Sequence, residues 1–249
     1  MHFEGLSAVY HQARPPYPAA LWERLDELGA LRAGARAVDL GAGTGHATGP
    51  LLAAGLDVLA VEPGPTLAAE LQARFPAASV VVACAEDAVL GEDTVDLVVA
   101  ATSIHWMDLD ALLPRVHDAL RHDGRFLVWR NVFGDSAAPP TPFREAVGRI
   151  VARRPAPPRP GSPEDERVTA AALSASGLFA VEEISRFPWT ITLDADAVQR
   201  LFSTFSDWSE GEAAAAAAAV RELGGSVIEH YLTWLVVLRP VDGSGTTPS

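Results

Sequence analysis

Three glycines at alternating positions, Gly41, Gly43 and Gly45, follow an apolar run and precede a segment that can form a helix. Glycine lets the backbone turn sharply and leaves no Cβ to block an approaching ligand. A helix that starts after such a turn directs unpaired backbone N–H groups toward it. We therefore expect a polar small molecule to lie directly against this stretch of backbone.

A carboxylate stands at the end of the next predicted strand. The Glu62 side chain would accept hydrogen bonds from two adjacent ribose hydroxyls, and such charge-assisted bonds are strong. In open α/β sheets, ligands bind beyond the carboxyl ends of the strands, where the glycines and Glu62 would both lie. The pair indicates a nucleoside-containing ligand. The dinucleotide fingerprint needs a glycine where this chain has His46, so an NAD-dependent oxidoreductase is disfavoured but stays open as an alternative.

The elements that must position these residues alternate between strand and helix. Apolar and β-branched runs predict five strands, at 37–40, 57–61, 79–84, 95–101 and 125–129. Helical spacing of apolar residues predicts helices between them at 46–54, 66–75 and 108–121. Such alternation indicates parallel βαβ units and an α/β sheet.

The second half of the chain has a different character. Its patterns predict helices at 141–151, 198–205 and 209–223, extended segments at 179–193, a proline-rich connection at 153–163 and a final apolar strand at 231–238. Ser209 and Glu212 have the spacing of a capping box at the start of the alanine-rich helix.

Composition restricts the class of protein. The 249 residues are 49% hydrophobic, which suits a folded domain with a substantial core. The net charge of −13 and the lack of a basic run disfavour nucleic acid as a partner. The single cysteine, Cys84, excludes an internal disulfide and a cysteine-rich metal site. No apolar run suits a membrane span or a secretory signal, so we expect a cytoplasmic protein that binds no membrane and no metal.

Five segments in register resemble class I S-adenosylmethionine-dependent methyltransferases, and in particular the small-molecule enzymes of the ubiquinone/trans-aconitate type. They are Val38–Thr48, Val61-Glu62-Pro63, Ala85-Glu86-Asp87, Val95-Asp96-Leu97-Val98, and Leu120 with Asp123-Gly124-Arg125. The resemblance covers roughly residues 5–130. It implies a Rossmann-like seven-stranded sheet, mostly parallel with an antiparallel last strand, and helices on both faces.

The resemblance also implies which residues hold the cofactor. Asp39 would orient the glycine loop or contact the amino group of the cofactor through water, Glu62 would bind the ribose, and Pro63 would pack near the adenine. Ala85 and Glu86 lie where the family holds the adenine ring, although Glu86 would equally serve as an acid at a helix start. The remaining cofactor positions line the methionine part: Gly41, Ala42, Gly43, Gly45, Ala101 and Thr102.

Two further segments would complete the site. The N-terminal arm of related enzymes folds over the cofactor, so Arg14 would pair with the cofactor carboxylate, and Tyr10 or Tyr17 would cover it or reach the substrate. After the fourth strand, His105 would act as general base for a hydroxyl acceptor, since its ordinary pKa lies near neutrality, and Trp106 would form an aromatic wall. The alternative is that the His–Trp pair only packs and positions its loop.

These expectations define a domain plan and a function. An arm and helix over residues 1–36 would cover the cofactor site, 37–240 would form the methyltransferase domain with substrate-side insertions around 132–178 and 194–225, and 241–249 would be a disordered tail. The expected activity is methyl transfer from S-adenosylmethionine to the carboxylate or hydroxyl of a small molecule. A non-catalytic protein that binds S-adenosylmethionine, such as a sensor, is the other alternative. The sequence does not indicate the oligomeric state.

Overall fold

The computed structural model describes residues 13–154, 164–205 and 207–241. The strands of this part of the chain, numbered in order, are β1 Arg36–Leu40, β2 Asp57–Val61, β3 Ser79–Val81, β4 Val95–Ala101, β5 Leu120–Phe133, β6 Phe179–Asp194 and β7 Ser226–Pro240. The helices are α1 Ala19–Glu27, α2 Thr48–Ala53, α3 Pro65–Arg74, α4 Leu109–Ala119, α5 Pro142–Val151, α6 Glu166–Ser174, α7 Ala195–Phe202 and α8 Glu210–Glu222. Short 3-10 turns occupy Ala85–Asp87 and Ile104–Trp106.

All seven strands form one sheet in the order β3-β2-β1-β4-β5-β7-β6. The pairs from β3 to β5 are parallel, whereas β7 runs antiparallel to both β5 and β6. The chain reverses its strand order between β1 and β4, which are neighbours in the sheet. This is the place where open α/β sheets form a ligand crevice. The predicted Rossmann-like, mostly parallel sheet with an antiparallel last strand is confirmed.

Helices cover both faces of the sheet. On one face α4 and α6 pack over Val98 and Phe126, and on the other α1 and α2 pack over Val99 and Trp129. Val98 and Val99 are both fully buried, because successive strand residues point to opposite faces and each face carries helices. A third cluster lies at the carboxyl end of β5, where α5, α7 and α8 pack against one another. We call these three helices the helical cap.

Several predicted boundaries are wrong, for local reasons. The strand predicted at 79–84 stops at Val81, because its neighbour β2 ends at the paired residue Val61. Leu120 belongs to β5 and pairs with Val95, so the helix predicted to 121 ends two residues earlier.

Other predictions agree with the structure or fall outside its described part. The helix α6 was not predicted, although Asp165 caps it by accepting from the backbone N–H groups of Arg167 and Val168. The capping box of Ser209 and Glu212 is confirmed at α8. Tyr10, most of the proline-rich connection (155–163) and the tail from 242 onward lie outside the described residues.

Candidate functional site

The glycine turn lies between β1 and α2 and is shaped by its surroundings. Gly41 has a φ of 66°, and a Cβ at this position would lie 2.6 Å from the Cβ of Ser103. Gly43 also has a positive φ, 57°, but a Cβ there would meet no described atom within 4 Å. The first glycine is therefore required by close packing against the loop after β4. The second opens the backbone toward free space.

Glu62 fastens this turn to the next strand. Its Oε2 accepts a 2.8 Å hydrogen bond from the backbone N–H of Gly43, and its Oε1 accepts one of 2.8 Å from that of Gly64. The side chain is only 6% exposed, and burial raises its pKa above the ordinary value. Each carboxylate oxygen accepts one bond and retains a second acceptor site. The group is thus rigidly oriented and still able to accept hydroxyl donors beside Gly43.

Asp39 lies below the turn and is fully buried. Its Oδ2 accepts a 2.6 Å hydrogen bond from the hydroxyl of Thr48, the first residue of α2, so the carboxylate joins the end of β1 to the start of that helix. Its Oδ1 has no hydrogen-bond partner among the described residues. Burial, partly opposed by the Thr48 bond, raises the pKa of Asp39 to about 6. Asp39 therefore links the end of β1 to the start of α2 and keeps one buried acceptor oxygen without a described partner.

The loop after β4 forms the other side of the crevice. The hydroxyl of Ser103 donates to the backbone oxygen of Leu40 at 2.6 Å, which joins this loop to the end of β1. Thr102 has a φ of 61°, an uncommon conformation for a β-branched residue. Backbone strain of this kind persists where surrounding contacts stabilise the strained conformation. Here the Thr102 N–H donates to the backbone oxygen of Trp129, and the Thr102 hydroxyl lies 2.9 Å from that of Tyr17.

The predicted adenine side lies beyond β2 and β3. Ala85 is buried and Cys84 is exposed. Glu86 accepts a 2.6 Å hydrogen bond from the backbone N–H of Asp108, the residue that caps α4. Glu86 thereby ties its turn to the start of that helix. Pro63 lies at the same side and is half-buried.

The described part of the arm crosses the carboxyl end of the sheet. The carbonyl oxygens of Pro15 and Pro16 accept from the Asn131 amide at 3.3 and 3.4 Å. Arg14 donates to the backbone oxygen of Thr204 at 3.0 Å, and its guanidinium carbon lies 4.8 Å from the centre of the Phe205 ring. The arm therefore bridges the sheet and the helical cap.

His105 faces a cation that the sequence analysis did not single out. Arg130, at the carboxyl end of β5, places Nη1 3.0 Å from His105 Nδ1. His105 is an exposed residue, yet desolvation by the protein atoms around it, together with the charges of Arg130 and Arg14, lowers the pKa of His105 to about 4. The ring is neutral at pH 7 and is a weak base. Trp106 packs against it with ring centres 4.8 Å apart and is 66% exposed.

A cluster of aromatic rings lies at the helical cap. The Phe133 ring lies 5.5 Å from the ring of Tyr231 and 5.9 Å from that of Phe205. Arg144 stacks on Phe133 at 4.3 Å and pairs with the buried Glu229 at 3.1 Å. These residues come from β5, α5, β7 and the end of α7, so no short motif contains them.

The described residues fit a nucleoside ligand with a polar tail. Gly43 faces open space, Asp39 keeps a buried acceptor without a partner, and Glu62 holds its remaining acceptor sites beside that space. Within the described ranges, no three His, Cys, Asp or Glu side chains are arranged to hold a metal ion. None of the helices assigned there is long and apolar enough to cross a membrane.

Comparison with known sequences relates this chain to methyltransferases. Residues 38–128 match the family model for the methyltransferase domain. An uncharacterized methyltransferase of Mycobacterium bovis is 40% identical over 131 residues, which cover 52% of this chain and 52% of that protein. The chain thus spans about half the length of the curated relatives it matches. The residues matched by the family model include the glycine turn and Glu62.

Solved structures share the fold over nearly the whole chain. A candidate type II methyltransferase from Anaeromyxobacter dehalogenans has a TM-score of 0.64 at 24% identity, over 90% of this chain and 96% of that one. A geranyl diphosphate C-methyltransferase of Streptomyces coelicolor, in complex with Mg²⁺, geranyl diphosphate and S-adenosyl-L-homocysteine, has a TM-score of 0.51 at 19% identity, over 90% and 79%. At these identities the comparison establishes the fold.

Proposed function

We propose that this chain, a class I S-adenosylmethionine-dependent methyltransferase by family and fold, transfers a methyl group from that cofactor to the carboxylate or hydroxyl of a small molecule. The observation that carries the proposal is Glu62, whose carboxylate is held by the N–H groups of Gly43 and Gly64 beside the open side of the glycine turn. A ribose with two adjacent hydroxyls suits the remaining acceptor sites of that carboxylate.

The other residues take roles around this anchor. Asp39 orients the glycine turn and offers Oδ1 to the amino group of the cofactor through water. Pro63, Ala85 and Glu86 lie on the adenine side. The methionine part lies against Gly41, Ala42, Gly45, Ala101 and Thr102, with Tyr10 and Arg14 of the arm as further predicted contacts. Tyr17, His105 and Trp106 face the acceptor.

The chemistry requires alignment more than acid–base work. S-adenosylmethionine supplies a methyl group already activated by a sulfonium. The residues must hold the acceptor behind that methyl and exclude water, and such orientation can lower a barrier by about 7–11 kcal/mol. A pKa of about 4 makes His105 a weak base, so an acceptor that is already ionised suits this site better than an alcohol.

The domain plan follows from the same proposal. Residues 1–36 cover the cofactor site, 37–240 form the catalytic domain, and the insertions around 132–178 and 194–225 form the acceptor side. The three helices of the helical cap belong to these insertions, whereas Tyr231 of the aromatic cluster lies on β7.

Binding of S-adenosylhomocysteine, measured by calorimetry, tests the cofactor assignment. Glu62→Gln is expected to weaken binding about 10–100-fold, because a charge-assisted hydrogen bond contributes about 1.5–3 kcal/mol. Asp57→Asn is the matched control, since Asp57 is an exposed carboxylate at the other end of the same strand. Equal affinities of the two variants would show that the ribose lies elsewhere. Binding of NADH without S-adenosylhomocysteine would favour the oxidoreductase.

Turnover distinguishes an enzyme from a sensor. Incubation with S-adenosylmethionine labelled in the methyl group, together with small acids and phenols, is expected to give a labelled product. Tight binding with no transfer to any acceptor would favour the non-catalytic protein.

A further inference from the structure

Two consecutive prolines of the arm offer hydrogen-bond acceptors but no donors. Pro15 and Pro16 have carbonyl oxygens and lack a backbone N–H. A strand ladder needs donors as well as acceptors, so this segment cannot pair with a strand in the ordinary way. A hydrogen bond that holds the segment must come from a donor on the sheet. Asn131 of β5 supplies it: its Nδ2 lies 3.3 Å from the oxygen of Pro15 and 3.4 Å from that of Pro16.

The orientation of the Asn131 amide follows from a series of hydrogen bonds across three neighbouring strands. The indole of Trp189, on β6, can only donate, and its Nε1 lies 2.9 Å from Thr233 Oγ1 on β7. The Thr233 hydroxyl thus accepts this bond and donates its own proton to Asn131 Oδ1 at 2.6 Å. Because Oδ1 accepts from Thr233, the amide turns Nδ2, with its two donors, toward the arm.

Burial fixes this arrangement. Thr233 lies directly opposite Asn131 in the pairing of β5 with β7 and is fully buried. Water does not reach a fully buried hydroxyl, and a polar group left unpaired beside it is costly. The Trp189 ring is also held, since its centre lies 4.9 Å from that of the Tyr231 ring. The amide of Asn131 is therefore oriented independently of the arm.

The two prolines lead directly to a residue that contacts the loop after β4. The Tyr17 hydroxyl lies 2.9 Å from that of Thr102, and the Tyr17 ring packs on Trp129 with ring centres 5.7 Å apart. Since Tyr17 follows Pro16 in the chain, the position of the prolines on β5 restricts where the Tyr17 ring can lie. The arm is thus attached both to β5 and to the loop after β4, at the carboxyl end of the sheet.

We propose that Asn131 is a positioning residue, which holds the arm over the crevice through Pro15 and Pro16 and thereby controls how fast the cofactor and its product enter and leave. This inference rests on the proposed methyl transfer, in which the arm covers the cofactor. Hydrogen bonds of 3.3 and 3.4 Å are long, and Pro16 is exposed, so the attachment is weak enough to break in each catalytic cycle. Thr233 and Trp189 keep the amide in the orientation that receives the prolines again.

Asn131→Asp tests the attachment directly. The aspartate keeps an oxygen that accepts from Thr233, but it offers no donor to the prolines and turns a negative charge toward their carbonyl oxygens. We expect amide hydrogen exchange in the peptide covering residues 13–25 to become about tenfold faster and S-adenosylhomocysteine to dissociate about 3–10-fold faster. Mass spectrometry measures the exchange, and surface plasmon resonance measures the dissociation. Gln72→Glu is the matched control, since it removes an amide donor from a carbonyl oxygen on another part of the fold, that of Ala78 at 3.3 Å.

Substitutions of Thr233 separate a positioning role from a merely structural one. Thr233→Val keeps the shape of the side chain but removes the hydroxyl that orients the Asn131 amide. It is expected to accelerate exchange in the arm about 3–10-fold, although it does not contact the arm. Thr233→Ser keeps the hydroxyl and is expected to retain the parental exchange and dissociation rates. Thr192→Val, at an exposed position of β6, is the control, and exchange in β4 reports any loss of global stability.

The outcomes separate this inference from the proposed function. Parental exchange in the arm of Asn131→Asp overturns the inference, and so does faster exchange without faster dissociation of S-adenosylhomocysteine. Equal effects of Thr233→Val and Thr233→Ser overturn it as well, because they assign the change to packing. If Asn131→Asp does not fold, Asn131→Ala provides the same comparison. Failure of the parent protein to bind S-adenosylhomocysteine removes the proposed function itself, whereas binding by the parent with unaltered variants removes only the role of Asn131.

Discussion

The two ends of the proposed ligand crevice, the glycine turn and the helical cap, are constructed differently. At the glycine turn, the backbone and two carboxylates within 24 residues, Asp39 and Glu62, supply the geometry. At the helical cap, side chains from β5, α5, α7 and β7 meet through aromatic packing. A backbone-built site leaves a readable local pattern, because glycine is required by conformation. A site built from side chains of distant elements leaves no local sequence pattern. Single substitutions can change the specificity of such a site.

The substitution with the largest expected effect tests whether the packing of the helical cap can be weakened without affecting the glycine turn. Phe202 is fully buried and contacts the rings of Phe133, Phe143, Phe205 and Trp208. Phe202→Ala is expected to lower the free energy of unfolding by about 3–5 kcal/mol, because it removes a large buried ring and leaves a cavity. Urea denaturation measures this.

Phe202→Ala also tests whether the glycine turn and the helical cap are independent of each other. If they are separate, S-adenosylhomocysteine affinity stays within about twofold of the parent in the folded protein. A large loss of affinity would show that the cap also shapes the cofactor end. Ile228→Ala, at a 58% exposed position on β7, serves as the control and should change stability little.

At the glycine turn, conformation and packing act together. Gly41→Ala is expected to cost about 2–6 kcal/mol, since it adds strain at a positive φ of about 1–3 kcal/mol and a contact with Ser103 of similar cost. Gly29→Ala has a similar φ, 69°, with no described atom within 4 Å of the new Cβ, and isolates the strain. Equal denaturation midpoints for the two variants would contradict close packing at Gly41.

Asp39 makes the cofactor end sensitive to pH. Its pKa is about 6 in the folded protein against 3.8 in the unfolded chain, so from pH 4 to pH 6 the unfolded state ionises first and folding loses stability. The loss amounts to about 3 kcal/mol from the difference in pKa and is constant above pH 7. Asp39→Asn is expected to remove this dependence in urea titrations at pH 4, 6 and 8. A parallel pH profile for the variant would refute it.

The smallest expected effect concerns the arm. Tyr17→Phe keeps the ring that packs on Trp22 and Trp129 but removes the hydroxyl that contacts Thr102. The expected loss is about 0.5–1.5 kcal/mol of stability, typical of one hydrogen bond. Thermal unfolding of this variant, compared with Tyr17→Ala, which also loses the ring packing, separates the two contributions. A Tyr17→Phe loss as large as that of Tyr17→Ala would assign the whole effect to the hydroxyl.

Sequence reasoning succeeded where local pattern and tertiary contact agree. β4 was predicted over its full length, because strands buried on both faces are mostly apolar and Asp96 is the one charged residue in this strand. Prediction from the sequence failed where a neighbouring strand determines the end of an element. β3 is short because β2 ends at Val61. Leu120 belongs to a strand and not to the predicted helix because it pairs with Val95. The role of Arg130 was unreadable, because its contact with His105 spans 25 residues and depends on the pairing of β4 with β5. The strain at Thr102 has no signal in the sequence either.

The sheet ends in the 16-residue strand β6, which pairs with β7 and has no further strand beside it in the described topology. Long open edges of this kind recruit other chains, so crowded solutions of such proteins tend to aggregate. Two features of β6 oppose pairing with another chain. Pro188 lacks a backbone donor, and the strand carries the charged residues Glu182, Glu183 and Arg186. Arg24 of α1 also donates a 3.0 Å hydrogen bond to Glu183 Oε1 and so fixes the position of that carboxylate. The colloidal stability of the protein therefore depends on a few residues far from its ligand crevice.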